Sequence, residues 1–390
     1  MKGVIWPLIV TMAIQALVSM AVFAPPVFAP AAHDEIGFPA SWVGLVTALT
    51  FGAATFGALF SGGIIAKVGP MRMSQYSLLL CGAGIALIST ANPWMVAMGA
   101  LVMGLGYGPV TPSSSSILAD RTPERIRSLI FSLKQTGVPI GGAMAGVIVP
   151  MLIVTNGWRM AALAVGFACV ALALVIQPYR AVVDLARHFD RPIKPASLLE
   201  PLRLVLAHPR LREMGFASST YSGMQSCLST FLVVYLTQRI GFSVQFAGAA
   251  LATAMAAGII GRIAWGIVAD NFAKPRAVLG AIGIGMSTAA LLTAAFTASW
   301  PVAAIFAVSF VYGLTAIGWN GVYLSEVARI APQGKAAAAT GASLAMTYAG
   351  VVVLPMMFWL IVAISDSYAA AFLATACLTL WRGSYFFRKD

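Results

Sequence analysis

The chain has 390 residues, of which 60% are hydrophobic and only 9% charged. A soluble domain carries about 25% charged residues, so this composition excludes a water-facing globular protein and makes lipid the solvent. The net charge of +12 raises the question of a nucleic-acid partner, which the placement of the basic residues answers in the negative.

The first apolar run follows Lys2 and ends near Phe23-Ala24-Pro25-Pro26, a faint likeness to a signal peptide with a small-residue cleavage site. It is longer than the roughly 7–15 residues of a signal core and reads as the first span. A membrane helix needs about 20 apolar residues. Runs of that kind are expected at 4–27, 41–66, 73–92, 94–118, 128–154, 158–179, 214–238, 244–269, 277–298, 301–325, 337–363 and 367–386. The fold class is therefore an all-α polytopic membrane protein of twelve transmembrane helices. Gly and Pro interrupt several spans, which lipid-embedded helices tolerate when neighbours re-satisfy the freed backbone groups. Cys81, Cys169, Cys227 and Cys377 all fall in apolar runs, without metal-ligand spacing or a disulfide framework.

With both termini inside, 20 of the 24 basic residues fall on the inner side, while Arg159 and Arg239 fall outside beside Asp34, Glu35 and Asp366. That asymmetry is the positive-inside pattern. It accounts for the charge without nucleic acid and orients the chain in a cell inner membrane with cytoplasmic termini. Residues 180–213 contain Pro192, Pro195, Pro201 and Pro209 with amphipathic stretches, as expected of a cytoplasmic linker. It separates an N-terminal six-helix half, 1–179, from a C-terminal half, 214–390.

The halves repeat one another. Gly57-Ala58-Leu59-Phe60-Ser61-Gly62 up to Arg72 matches Gly261-Arg262-Ile263-Ala264-Trp265-Gly266 up to Arg276 at a constant shift of 204. Ser132-Leu133-Lys134-Gln135-Thr136 likewise matches Ser343-Leu344-Ala345-Met346-Thr347. A 6+6 repeat is the plan of many secondary transporters.

On these features the chain resembles a major facilitator superfamily (MFS) transporter. The family's loop motif, roughly G-x-L-a-D-R-x-G-R-K, resembles Gly266 to Lys274 in the second half, with Asp270 at the acidic position. In the first half the loop runs Gly62 to Gly69, with Ala66 where the motif has Asp. The resemblance implies a gating latch involving Asp270, Lys67, Arg72 and Lys274, weakened in the first half by Ala66. Gly137-Val138-Pro139-Ile140-Gly141-Gly142 resembles the Gly-Pro-x-x-Gly-Gly core of family members with exchange activity, one residue short. Close helix packing explains such glycines equally well.

Ionisable groups deep in a span default to function. The fifth span carries Lys134 and the eighth Arg262, both roughly 10–12 Å in from the inner surface at about 1.5 Å rise per residue. No Asp or Glu lies deep in any span; Asp120 and Glu326 end the fourth and tenth. The family's architecture implies that the two cations approach one another. Two cations without a carboxylate point to an anionic ligand, the guanidinium forking a carboxylate and the ammonium acting as a point charge. Against this, Lys134 could snorkel to the surface, and Arg262 could bond helix-end carbonyls or Asp270. On the spans that line the cavity in the family stand Gln15, Tyr107, Thr111, Tyr221, Gln225, Trp319, Asn320 and Tyr323, with Gln135 beside Lys134. Such groups orient a ligand or bind helices together. His33, His188 and His208 fall in loops, and Ser113–Ser116 either lines a vestibule or bonds back to helix carbonyls.

No catalytic constellation, metal site, cofactor motif or phosphate-cradling Gly-x-x-x-x-Gly-Lys-Ser/Thr loop is present, so the sequence indicates no enzyme. The leading expectation is a secondary transporter that moves a small organic anion, a mono- or dicarboxylate, by alternating access. A proton would accompany the solute on the solute itself or through Lys134. The alternatives are a proton-coupled exporter of drugs or amphiphiles, and a transporter-like receptor that moves nothing.

Overall fold

A computed structural model describes residues 2–119, 130, 133–184, 205–330 and 336–387; within these, the side chains of a few helical residues, Ala66 and Asp270 among them, also lie outside the description. The described residues contain helices and no strands. Contacts group the chain into two units, one of residues 1–40 and 49–195, the other of residues 41–48 and 196–390.

The first unit opens with α1 (Lys2–Ile36), which continues through Pro7, Pro25, Pro26 and Pro30. It therefore ends nine residues beyond the expected span, and His33 lies in its last turn rather than in a loop. Next come α2 (Val43–Val68), α3 (Pro70–Ile88), α4 (Pro93–Tyr107) and α5 (Val110–Ala119). Pro at the first helical position suits α3 and α4, because that position's N–H has no intrahelical partner. Asn92 caps α4 by accepting the N–H groups of Trp94 and Met95. α4 and α5 form one span, 93–118, interrupted at Gly108-Pro109. α6 (Gly137–Val175) covers the fifth and sixth spans. At Gly157, φ 81° and ψ 162° leave the helical region, so residues 137–156 and 158–175 are separate helices. A short α7 (Gln177–Val183) follows.

α1 lies along α6, and α3 packs on α4 and α6. The first contact depends on glycine. A Cβ at Gly141 would strike the carbonyl of Ala16 and come 2.7 Å from Cβ of Ser19, and one at Gly137 would come 2.9 Å from Cβ of Gln15. Two ties close the unit. At the end of α1, Glu35 accepts from Arg159 Nε (2.7 Å) and from Trp158 Nε1 (3.1 Å). After α7, the buried Asp184 accepts the backbone N–H groups of Met71 (2.9 Å) and Arg72 (3.0 Å) at the start of α3. Asp184 was expected in a surface linker. It is instead 4% exposed, because α3 begins Gly69-Pro70 with no side-chain cap of its own and a carboxylate satisfies both exposed N–H groups.

The second unit contains α8 (Pro209–Gln238), α9 (Val244–Asn271), α10 (Pro275–Ala294), α11 (Val302–Ala316), α12 (Asn320–Ile330), α13 (Ala336–Ser365) and α14 (Tyr368–Tyr385). Ser243 and Ser367 cap α9 and α14. α8 lies along α13, α9 along α11, and α10 along α14. The α8–α13 crossing repeats the glycine device, since a Cβ at Gly350 would strike the carbonyl of Ser219. α11 and α12 are one span, 302–327, interrupted at residues 317–319, at the place in this unit that Gly108-Pro109 occupies in the other. One tie joins Arg239, after α8, to the side chain and carbonyl of Asp366. A second joins Arg276 Nη1 to Glu213 (2.8 Å) and Arg276 Nε to the carbonyl of Phe386 (3.3 Å). Residues 41–48, at the start of α2, cluster with this unit through a Thr47–Thr230 hydroxyl pair (3.2 Å) and a Trp42–Trp359 edge contact. Cys81, Cys169 and Cys227 are buried, whereas Cys377 is exposed.

Candidate functional site

The interruption between α4 and α5 places Thr111 in the first turn of a new helix, and the Gly137 and Gly141 crossing lays α6 tightly on α1. Together these bring Lys134, Gln15 and Thr111 to one point within the first unit. Lys134 is 1% exposed, so its ammonium does not snorkel to the surface. Its Nζ donates to Gln15 Oε1 (2.9 Å) and to Thr111 Oγ1 (3.4 Å). Gln15 Nε2 donates onward to Ser19 Oγ (3.3 Å), and Thr111 Oγ1 makes a long contact to Gln15 Oε1 (3.5 Å). An ammonium only donates, so the network fixes which end of the Gln15 amide faces Lys134. Among the described residues, no carboxylate lies within ion-pair distance of Lys134. One helical turn earlier, Ile130 packs with Val4 and Leu118 in a buried apolar cluster edged by Leu8. A buried cation held only by neutral acceptors is costly to maintain.

The repeat supplies a control. Lys134 corresponds to Ala345, and Gln15 stands at the constant shift of 204 from Ser219. Both units cross these helices with a glycine against a carbonyl, yet only the first carries the charge. The crossing therefore does not require Lys134.

In the second unit, Arg262 is partly buried and its Nε donates to the carbonyl of Ile317 (3.3 Å), which lies at the break between α11 and α12. Just past that break, Trp319 donates from Nε1 to Gln225 Oε1 (3.3 Å) and meets Tyr221 and Tyr323 edge-on, with ring centroids 5.9 and 5.2 Å apart. Asn320 opens α12. Tyr221 is enclosed, and its hydroxyl donates to the carbonyl of Leu279 (2.8 Å), an arrangement suited to packing. In the first unit Tyr107 meets Phe51 edge-on (5.6 Å), and Gln135 is half-buried next to Lys134.

Of the expected gating residues, Lys67 and Lys274 are exposed at the end of α2 and just before α10. Arg72 donates to Gln75 Oε1 (3.2 Å) and lies over the ring of Tyr76. The side chain of Asp270 lies outside the described residues. Of the other positions singled out in the sequence, Asp120 and His188 fall outside the described residues. Sequence reasoning missed Asp184, Glu213 and Ser19. The first two were assigned to the linker, although a helix opening Gly69-Pro70 without a cap signals a distant acceptor. Ser19, four residues after Gln15, stands at helical spacing for a side-chain contact.

Charged and polar side chains gathered where a span is broken, once in each unit of a two-unit helical membrane protein, form the arrangement of a solute carrier. Residues 11–382 match the family model of the Major Facilitator Superfamily, and the chain belongs to that family. It is 26% identical over 345 residues to the gentisate transporter of Corynebacterium glutamicum, an alignment covering 84% of this chain and 74% of that protein. It is 30% identical over 133 residues to the gallate transporter of Pseudomonas putida, covering 30% of each. Its fold is that of a bacterial homologue of the human lysosomal transporter Spinster, with a TM-score of 0.77 at 17% identity over 98% of this chain and 96% of that one. The chain is thus a multi-pass membrane transporter and not an enzyme.

Proposed function

We propose that this protein carries a small organic anion, a carboxylate of the hydroxybenzoate class, across the cell inner membrane by alternating access, with both termini cytoplasmic. The observation that carries the reading is the Lys134 ammonium, buried in the first unit on the neutral acceptors Gln15 and Thr111 where the repeat has alanine. Two acceptors leave one of its three N–H donors for a ligand carboxylate. Gentisate and gallate, which name the two relatives above, are hydroxybenzoate anions. Arg262 adds positive charge at the broken span of the second unit. A proton accompanies the solute in this reading, on the carboxylate or through Lys134. The glycines that suggested an exporter are used for the α1–α6 crossing.

The test is thermal stability of the detergent-purified protein against gentisate, gallate and cationic amphiphiles, with uptake measured in reconstituted vesicles. A ligand that binds the folded state raises the melting temperature. Gentisate is expected to stabilise the wild type. Lys134→Gln is expected to weaken that binding by about tenfold or more, since a hydrogen bond to a charged group contributes about 1.5–3 kcal/mol. Lys134→Arg should retain more activity than Lys134→Gln. Equal binding by wild type and Lys134→Gln refutes the site, and stabilisation by cations alone refutes the substrate class.

A further inference from the structure

We infer that position 15 sets the charge of this site: the amide of Gln15 meets the Lys134 ammonium where a carboxylate would close an ion pair, so the charge stays uncancelled and the site selects anions. The inference rests on the anion reading above and adds the atom that enforces it. Gln15 is 1% exposed, and its Oε1 lies 2.9 Å from Lys134 Nζ, the separation at which a carboxylate would form a closed ion pair. Its other end is tied to Ser19. Its Cβ and Cγ lie where a side chain on residue 137 would be, 2.9 and 3.0 Å from the position of a Cβ on Gly137. The side chain thus packs against Gly137 and is hydrogen-bonded at both ends of its amide.

Among the described residues, the other group bonded to this ammonium is also neutral. Thr111 supplies a hydroxyl, and among the described side chains of α1 the charged ones, His33, Asp34 and Glu35, lie at its C-terminal end. The identity of one side-chain group at position 15 therefore decides the net charge. With Gln the site is +1 and a monoanion neutralises it. With Glu the ammonium is already matched, and a ligand carboxylate would add an unbalanced charge at a desolvated point, which is strongly disfavoured. Gln and Glu have nearly the same shape, so the change alters charge with little effect on packing.

The experiment uses the full-length protein in detergent, titrated with gentisate and with gentisamide, its uncharged amide, while the melting temperature is followed. For the wild type, gentisate is expected to stabilise and gentisamide to do so far less. For Gln15→Glu, the gentisate midpoint concentration is expected to rise by about tenfold or more, on the scale of a charge-assisted hydrogen bond, with the preference over gentisamide lost. Gln15→Ala removes an acceptor without adding charge, so it should keep the preference for the anion. If Gln15→Glu melts too low to measure, Thr111→Asp puts a carboxylate on the other acceptor and must also lose the preference. Equal gentisate midpoints for wild type and Gln15→Glu overturn this inference and leave the anion reading standing. Failure of gentisate, gallate and other carboxylates to stabilise the wild type overturns both.

Discussion

Replacing Asp184 with alanine removes the only described tie between α3 and the segment after α7 that is made by a buried carboxylate. The carboxylate oxygens accept from the N–H groups of Met71 and Arg72 at 2.9 and 3.0 Å, and Arg180 Nε stands 3.8 Å from one of them. Alanine leaves two backbone donors of the first turn without an acceptor, each a loss of about 1–3 kcal/mol. Loss of an ordinary N-cap costs about 0.5–2 kcal/mol. A total of about 2–4 kcal/mol follows, with Asp184→Asn losing about half, because an amide keeps one acceptor and sets its own N–H groups against the other donor. For a cooperative unit of 150–250 residues, 1 kcal/mol shifts the melting temperature by about 2–4 °C. Asp184→Ala should therefore lower the first unit's transition by about 5–10 °C in a fluorescence melt of the purified protein. Gly69 extends the test. Its φ of 93° disfavours any other residue, and a Cβ there would run into the Asp184 carboxyl group. Gly69→Ala should thus be more harmful in the wild type than beside Asp184→Ala, a coupling of about 1–3 kcal/mol. A melt of Asp184→Ala within about 1 °C of wild type, against the 5–10 °C expected, or a strictly additive cycle, would refute the cap.

Two further outcomes follow from the packing and the ion pairs. Gly141→Val should separate α1 from α6, since even a Cβ there strikes the Ala16 carbonyl; purified protein is expected to lose anion binding together with several degrees of melting temperature, and intact binding would show that the crossing does not position Lys134. Arg276→Ala should cost about 2–4 kcal/mol because Glu213 is left nearly buried without its cation, whereas Arg159→Ala should cost about 0–1 kcal/mol, its pair with Glu35 being half exposed on both sides. Melting temperatures of the two variants compare them directly, and equal shifts would contradict the burial argument.

The spans were legible because lipid imposes a length and a composition that survive in the sequence. What the sequence lost were ends and partners. α1 was expected to stop near Pro25-Pro26, yet proline does not end a membrane helix whose neighbours satisfy the freed groups, and it runs to Ile36. Lys134 and Gln15 were each legible as polar groups in apolar spans. Their contact was not, because it joins residues 119 positions apart through a crossing set by glycines, and a glycine records only that something comes close. Asp184 lay in a proline-rich, charged segment that resembles a linker, and its burial depends on α3 lacking a cap. Arg382, near the end of the twelfth expected span, is 5% exposed, its guanidinium bonded to the carbonyl of Glu213 169 positions away, a partner that spacing does not reveal.

The Glu35–Arg159 and Arg239–Asp366 ties of the two units are opposite in charge sense. Glu35 and Arg239 stand at the repeat's constant shift of 204, and their partners, Arg159 and Asp366, begin the sixth and twelfth spans. During folding, a first or seventh span that docked in the wrong half would set Glu35 against Asp366, or Arg239 against Arg159, like charge against like. The two units thus carry opposite charges at corresponding helix ends, and like-charge repulsion opposes an exchange of these helices between them.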